Sequence, residues 1–278
     1  YVSIIKELNE IQSSFEEKHA TTIAHKFIKA NRSYIPSEFE DLDIFLKNKK
    51  QHHFDHLAIS DPVLQGSNFL TDKFASYVFS ALPSDISTKE QLAIEVNKNV
   101  KTTAAFIKTT PIGFQERSMH QLWKIADVNN MTSVQDYIFK NHLKKLAIAN
   151  NNQKLVDEVE LASRLRIGAI SPDITWEAND KKHSLLTMKE ADNYLLVFWS
   201  STCSHCLKEL PALHKEIEDY ENLKVIAVGL EDDDVNWKEV SATLPGFNHA
   251  IALGRWESDY AHTFGIQSTP TYFILDSE

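Results

Sequence analysis

The chain has 278 residues, and its apolar share of 42%, which includes fifteen Phe and five Trp, is ample for hydrophobic cores. At this length two domains are expected. The formal net charge of −10 at pH 7 argues against a nucleic-acid partner, because such binding depends on clustered Lys and Arg. The same charge disfavours an anionic membrane surface, and no apolar run approaches the length of a bilayer-spanning helix.

Residues 1–166 are predicted to form an all-α domain, because apolar residues recur there at helical spacing. The clearest stripes are Ile4, Leu8, Ile11 and Phe15; Leu92, Val96, Val100, Thr103 and Ile107; and Leu155, Val159, Ala162 and Leu165. Pro36, Pro62, Pro83 and Pro111 fall between such stretches, where they start or end helices without breaking them. No fixed repeat period is visible, so a solenoid of identical units is not expected.

From residue 168 onward, apolar runs of strand length alternate with helical patterns. The strand candidates are "YLLVFWS", "LKVIAVGL", "HAIAL" and "PTYFIL", and the helix candidates between them are "CLKELPALHKEIEDY", "DVNWKEVSATL" and "SDYAHTFG". Alternation of this kind indicates β-α-β units around a mainly parallel central sheet. We therefore expect a second, α/β domain over residues 168–278.

The only two cysteines lie three positions apart, at the start of a predicted helix. Cys203 follows a strand candidate, so its sulfur is expected to face unpaired backbone N–H groups and the positive end of the helix dipole, which favour the thiolate. Cys206 is one turn further on, within reach of the first sulfur. This arrangement predicts that Cys203 attacks a substrate disulfide and that Cys206 resolves the mixed disulfide.

Other readings of these residues are weaker. A zinc site wants four ligands, and only His205 and His214 could join the cysteine pair. An inert structural disulfide closing so short a loop adds little stability. The histidines of "HHFDH", residues 52–56, are expected to form a packed, capping cluster around Phe54 rather than a metal site, and no metal is expected elsewhere.

Two stretches, "LLVFWSSTCSHCLKELPAL" and "FGIQSTPTYFIL", resemble the thioredoxin superfamily, in particular its extracytoplasmic TlpA/ResA-type branch. The matching residues are Phe198 and Trp199 at the strand end, Pro211 in the helix, and Thr269-Pro270 in the cis-proline loop. The resemblance covers residues 168–278 and implies an α/β thioredoxin-like domain preceded by the all-α domain. It also implies an added N-terminal hairpin, an inserted helix and strand over residues 234–254, and a cis peptide bond before Pro270.

The chain departs from the family at several positions. Thioredoxin has a buried Asp where Val197 stands, so proton transfer from Cys206 needs another group or water. Glu209 matches a glutamate that ResA-like proteins carry on this helix, and it either handles that proton or is a solvated carboxylate. His205 replaces the proline of thioredoxin, which implies a more stable Cys203 thiolate and a reduction potential above about −270 mV.

The resemblance also implies a substrate surface around the nucleophile. Its expected members are Trp199, Thr202, His205, Thr269 and Pro270, and Thr202 stands where the family usually has Trp. The chain stops at "LDSE", where the thioredoxin core normally continues with a strand and a helix. We therefore expect the C-terminal part of the fold to be truncated.

These features predict a thiol–disulfide oxidoreductase that acts on protein or peptide disulfides in the cell envelope. No organic cofactor is implied, because the electrons reside in the redox-active Cys203–Cys206 disulfide, and an upstream membrane or periplasmic dithiol donor would supply them. The chain opens without a methionine or a secretory leader, so we expect an extracytoplasmic protein whose signal or lipid anchor has been removed.

Two alternatives remain. A thioredoxin-fold peroxidase wants a Thr two or three residues before its cysteine, whereas "WSSTC" places Thr202 directly beside it. In a binding or scaffold protein, the helical domain would carry the main role. That domain resembles, around "HHFDHLAISDPVL", helical domains that precede thioredoxin domains in envelope proteins. It would position the redox domain, form oligomers or select substrate.

Overall fold

The computed structural model describes residues 2–178 and 180–277, apart from the side chain of residue 2. The chain divides into two units, Tyr1–Val156 and Asp157–Glu278. The division falls inside a helix, Gln153–Arg164, whereas the sequence predicted domains of 1–166 and 168–278. Those boundaries stay a prediction.

Ten α-helices lead from the start of the described chain to residue 164. They are α1 Val2–Lys18, α2 Ile23–Ala30, α3 Leu42–Gln51, α4 Pro62–Gln65, α5 Phe69–Ser80, α6 Lys89–Phe106, α7 Ile112–Val128, α8 Thr132–Ile138, α9 Lys144–Ala149 and α10 Gln153–Arg164. Local chemistry sets their starts: Pro62 occupies the first turn of α4, and Thr88 and Gln91 form a capping box at α6. A π-turn, Phe139–Leu143, joins α8 to α9.

The apolar stripes of the helical unit differ in burial. On α6 the stripe residues Val96 and Val100 are completely buried, and they belong to a core that includes Phe74, Met119, Leu122 and Ile138. On α1 the stripe Ile4, Leu8, Ile11 and Phe15 is 45–61% exposed. Periodicity therefore predicted both helices, but it did not distinguish a buried face from an exposed one.

The second unit begins with the predicted hairpin and continues as an α/β domain. Its strands are β1 Thr175–Ala178, β2 Lys181–Ser184, β3 Asn193–Trp199, β4 Leu223–Glu231, β5 Asn248–Leu253 and β6 Thr271–Asp276, and its helices are α11 Ser204–Glu216, α12 Val235–Ser241 and α13 Asp259–Thr263. Strands β1 and β2 pair in antiparallel fashion. The inserted helix and strand expected over residues 234–254 are α12 and β5.

The main sheet has the strand order β5-β4-β3-β6. Strands β3, β4 and β5 are parallel, as the alternation of elements predicted, and β6 runs antiparallel to β3. Successive side chains of β3 point to opposite faces: Leu196 and Phe198 join one apolar cluster, and Val197 and Trp199 join the other. The second cluster also contains Cys206, so this face of the sheet supports the cysteine pair.

Candidate active site

The two cysteines meet at the N-terminus of α11. Cys203 is the N-cap residue, and its sulfur accepts a hydrogen bond from the Cys206 backbone N–H at 3.4 Å. Both thiols are free, with Cys203 half-buried and Cys206 completely buried against Leu210 and Trp199. The two sulfurs thus lie side by side, that of Cys203 partly accessible and that of Cys206 covered.

Their surroundings displace the two thiol pKa values in opposite directions. Partial burial raises the pKa of Cys203, but hydrogen bonds from the Cys206 thiol, from backbone N–H groups and from Thr269 outweigh it, so the net pKa is lowered. Burial, followed by the hydrogen bond with Cys203, raises the pKa of Cys206 to about 12. At neutral pH, Cys203 is therefore the sulfur that ionises more readily.

The loop before β6 lies against the nucleophile. The peptide bond between Thr269 and Pro270 is cis, as the family resemblance implied. The Cys203 thiol donates a hydrogen bond to the Thr269 carbonyl at 3.4 Å. Thr269 and Pro270 are both half-buried, so their outer edges are open beside the sulfur.

A buried carboxyl group holds the segment that leads into the nucleophile. Glu231 ends β4 and is only 4% exposed. Its carboxyl oxygens accept hydrogen bonds from the Ser201 backbone N–H and from the Ser200 hydroxyl, the latter at 3.4 Å. Ser200 in turn accepts, through its carbonyl, the Cys203 backbone N–H at 3.1 Å. Glu231 therefore fixes the loop from β3 to α11.

A second charged group borders the site through Thr202. Arg255 donates from Nη2 to the Thr202 hydroxyl at 3.2 Å and from Nη1 to Asp232 at 3.3 Å. Its backbone has a φ of 50°, in the left-handed region that side chains with a Cβ seldom adopt. The guanidinium thus ties the residue before the nucleophile to the end of β4.

The position of thioredoxin's buried Asp is occupied by apolar Val197, which is completely buried. Its antiparallel partner on β6 is Tyr272, whose hydroxyl donates a hydrogen bond to Glu209 at 3.1 Å. Glu209 is exposed on α11, one turn after Cys206. The cysteine side of the sheet therefore carries a phenol and a carboxylate, but not at the position where thioredoxin has its acid.

The structure brings most of the predicted site residues together and corrects one. Thr202 and His205 are exposed beside Cys203, on the surface where a substrate would approach. Trp199 is 0% exposed and packs under α11, so it lies beneath this surface and not on it, contrary to the expectation of a substrate contact. The alternation of β3 explains the difference, because Trp199 shares its face with buried Val197.

Sequence reasoning missed three residues of this region: Glu231, Arg255 and Tyr272. A signal existed for Glu231, since it is an acidic residue directly at the end of a long apolar run, "LKVIAVGLE". Arg255 and Tyr272 reach the site through the packing of β5 and β6, which no local motif marks.

The histidine cluster of the helical unit has ordinary packing partners. His52 stacks on Tyr34 and pairs through Nδ1 with Asp55 at 2.6 Å, and His53 contacts the Lys73 carbonyl at 3.1 Å. Across residues 2–178 and 180–277, no group of three or more His, Cys, Asp or Glu side chains is arranged to hold a metal ion. Over the same residues, no helix has the length and apolarity to cross a bilayer.

Residues 192–278 match the family model described as Thioredoxin-like. The thioredoxin-like protein YneN of Bacillus subtilis (strain 168) is 26% identical over 112 residues, which cover 40% of this chain and 66% of that protein. The thiol-disulfide oxidoreductase ResA of Bacillus thuringiensis (strain Al Hakam) is 24% identical over 118 residues, which cover 41% and 66%. The chain thus spans a little under two thirds of each of these relatives.

Solved structures give weaker likenesses. The thioredoxin domain of a thiol-disulfide oxidoreductase from Bacteroides vulgatus is 24% identical, with a TM-score of 0.37, over 41% of this chain and 84% of that one. A thioredoxin-like protein from Bacteroides caccae is 14% identical, with a TM-score of 0.43, over 88% and 89%. At these TM-scores neither likeness adds to the fold assignment.

The sheet, the cysteine-capped helix and the family match together define the C-terminal part of the chain as a thioredoxin-like domain. Within that class, the segment is similar to YneN and to the ResA thiol-disulfide oxidoreductases, which confirms the resemblance inferred from the two motifs. The helical region before this domain is likewise as expected.

Proposed function

We propose that this protein is a thiol–disulfide oxidoreductase that uses Cys203 and Cys206 on protein disulfides. The observation that carries the proposal is the pair of free thiols at the N-terminus of α11, where half-buried Cys203 faces the Thr269–Pro270 loop and Cys206 is completely buried. The opposite displacements of the two thiol pKa values agree with this arrangement. A lowered pKa suits an attacking sulfur, and a raised pKa keeps the second sulfur protonated until it is needed.

The reduction of a substrate proceeds in two exchanges. The Cys203 thiolate attacks one sulfur of the substrate disulfide, so that a Cys203–substrate bond forms and the other substrate sulfur leaves as a thiolate. Cys206 then loses its proton and attacks Cys203, which forms the Cys203–Cys206 disulfide and releases the second substrate thiolate. Two electrons pass from the cysteine pair to the substrate, and each thiolate released takes up a proton.

Glu209 is the group proposed to take the proton of Cys206. It lies one helical turn away on the same helix, and a base is needed because the pKa of Cys206 is about 12. Val197, which is fully buried at the position of thioredoxin's acid, has an apolar side chain that cannot accept a proton.

The substrate is proposed to be an extended peptide segment around its disulfide. Thr202, His205, Thr269 and Pro270 surround Cys203 and offer backbone and polar edges rather than a deep pocket. Such a surface suits a substrate peptide that binds through hydrogen bonds of its main chain. Binding of this kind is expected to depend little on the amino-acid sequence of the substrate.

The working site is proposed to be the cell envelope, where disulfides persist in substrate proteins. There a membrane or periplasmic dithiol donor would return electrons to the Cys203–Cys206 disulfide, which would serve as the electron carrier without an organic cofactor. ResA of Bacillus thuringiensis, which is similar to this segment of the chain, is a thiol-disulfide oxidoreductase.

The test is the reduction of insulin disulfides by the full chain with dithiothreitol as donor. Wild type is expected to accelerate precipitation of the insulin B chain, Cys203→Ser to lose all of that activity, and Cys206→Ser to accumulate a mixed disulfide with insulin. Equal activity of wild type and Cys203→Ser would refute the proposal. Peroxide consumption measured alongside would instead favour the peroxidase alternative.

A further inference from the structure

Tyr272 lies on the side of the sheet that packs with Cys206, although no motif marks it. It is two residues after Pro270 on β6, directly opposite Val197 of β3. Opposite residues of an antiparallel pair project from the same face of a sheet, so Tyr272 is on the side where Val197 packs with Cys206. Its side chain is 39% exposed, which leaves the hydroxyl near the surface.

The Tyr272 hydroxyl has one strong partner there, the Glu209 carboxylate, to which it donates at 3.1 Å. Glu209 is exposed on α11, and a free glutamate of this kind samples several side-chain rotamers. The hydrogen bond from Tyr272 restricts the Glu209 carboxylate to positions near β6, on the side of the sheet that packs with Cys206.

The protonation state of the phenol supports this reading. Burial, followed by the hydrogen bond to Glu209 and the negative charges of Glu209 and Cys206, raises the pKa of Tyr272 to about 12. The hydroxyl therefore remains a donor throughout the physiological range.

We propose that Tyr272 is the positioning residue that holds the Glu209 carboxylate beside the Cys206 thiol for resolution of the mixed disulfide. This inference rests on the proposed function. It means that β6 and α11 jointly supply what thioredoxin obtains from the acid at the position of Val197.

In the step concerned, the Cys206 proton goes to Glu209 while the Cys206 sulfur attacks Cys203. The bond between Cys203 and the substrate sulfur breaks, and the departing thiolate takes a proton from Glu209 or from water. Tyr272 keeps its own proton throughout and only donates its hydrogen bond.

The test separates the two exchanges with a chromogenic aromatic disulfide, which releases one coloured thiol when Cys203 attacks and a second when Cys206 resolves. In stopped-flow traces of the full chain, Tyr272→Phe is expected to slow the second phase roughly tenfold at neutral pH and to change the first by less than about twofold. Tyr220→Phe is the matched control, because Tyr220 is an exposed tyrosine beyond the other end of α11.

A coupling measurement distinguishes positioning from a merely structural role. Glu209→Gln is expected to slow the second phase by roughly a hundredfold, and the addition of Tyr272→Phe to that variant is expected to cost nothing more. Additive losses in the double variant, or an unchanged second phase in Tyr272→Phe, would overturn the inference.

The outcomes also separate this inference from the proposed function. A wild-type chain that shows neither phase, or a Cys203→Ser variant that shows both, refutes the oxidoreductase itself. A normal biphasic wild type with an unaffected Tyr272→Phe refutes only the role of Tyr272. The variant keeps its aromatic ring, and circular dichroism verifies that its fold is retained.

Discussion

Cys203 and Cys206 have the same side chain and stand one helical turn apart, yet their sulfurs meet different surroundings. The first caps α11 and receives hydrogen bonds from N–H groups, and the second is enclosed by Leu210 and Trp199. Hydrogen bonds to a thiolate stabilise it, whereas apolar burial favours the neutral thiol. The difference between the two thiol pKa values therefore follows from these surroundings, and it matches the roles of attacking and resolving sulfur in the proposed function.

This difference predicts selective alkylation. At neutral pH Cys203, whose pKa is lowered, holds more thiolate than Cys206, whose pKa is raised to about 12. We expect limiting iodoacetamide to modify Cys203 more than about tenfold faster than Cys206, as measured by peptide mass spectrometry of the reduced protein. Denaturant should abolish the preference, and equal labelling of the folded chain would contradict it.

The hydrogen bonds that Glu231 accepts are expected to stabilise the fold, which gives a prediction about the free energy of unfolding. Glu231→Ala leaves the buried Ser201 N–H without an acceptor, which is expected to lower the free energy of unfolding by about 1–3 kcal/mol. Glu231→Gln retains an amide oxygen and should lose clearly less. Urea unfolding measures both, and identical stability of the alanine variant and wild type would show that the hydrogen bond contributes nothing.

At the level of single residues, sequence predicted the reactive pair but not all of its neighbours. The cysteines, Thr269 and Pro270 belong to contiguous motifs, so they can be recognised from this single sequence. Tyr272 and Glu209 meet only because β6 pairs with β3 in a particular register, which local patterns do not specify. The burial of Trp199, in contrast, could have been predicted from its parity with Val197.

At the level of elements, α12 packs against β4 at a glycine. An added Cβ on Gly229 would lie 2.4 Å from the Trp237 ring. Gly229→Ala is therefore expected to displace this indole and to lower the free energy of unfolding by about 1–3 kcal/mol, measured by urea denaturation.

Gly113→Ala in α7 is the matched control for that substitution. Its Cβ would lie 3.7 Å from the Asn150 side chain, which is an ordinary contact distance. The free energy of unfolding is therefore expected to stay the same or to rise slightly, because alanine reduces the conformational freedom of the unfolded chain. Equal effects of the two substitutions would mean that the indole moves away without cost.

Elements themselves were the part of the fold that sequence predicted best. Each strand and helix expected after residue 168 is present, because apolar runs of strand length alternate there with clear helical patterns. In the helical unit, the same patterns predicted α1 and α6 equally well. Which stripe is buried depends on the neighbouring helices, and so α1 differs from α6 in a way its own sequence does not indicate.

At the level of the whole molecule, both units contain half-buried histidines whose pKa is lowered. Burial is the main cause of the lowered pKa of His53 and His142 in the first unit and of His249 in the second. In the unfolded chain these side chains regain their usual pKa near 6.5 and take up protons more readily than in the fold. Proton uptake by the unfolded state favours unfolding.

The contribution of these histidines to stability is therefore expected to be complete above about pH 6.5 and to be lost below it, by less than about 1.4 kcal/mol per pH unit for each, because they are only half-buried. Thermal unfolding between about pH 7.5 and pH 5.5 measures the effect. His249→Gln, which keeps a donor for the Leu244 carbonyl, should reduce the slope. A flat profile, or stability that rises on acidification, would contradict the assignment of these residues as half-buried histidines with a lowered pKa.

Arg255 connects the inserted segment to the residue that precedes Cys203. It follows β5, and its guanidinium binds both Asp232 at the start of the insertion and Thr202 next to the nucleophile. A change in the length of that segment would move one guanidinium and, with it, the hydroxyl beside Cys203. Under the proposed function, a change in this surface segment would alter substrate preference and leave the Cys203–Cys206 exchange chemistry unchanged.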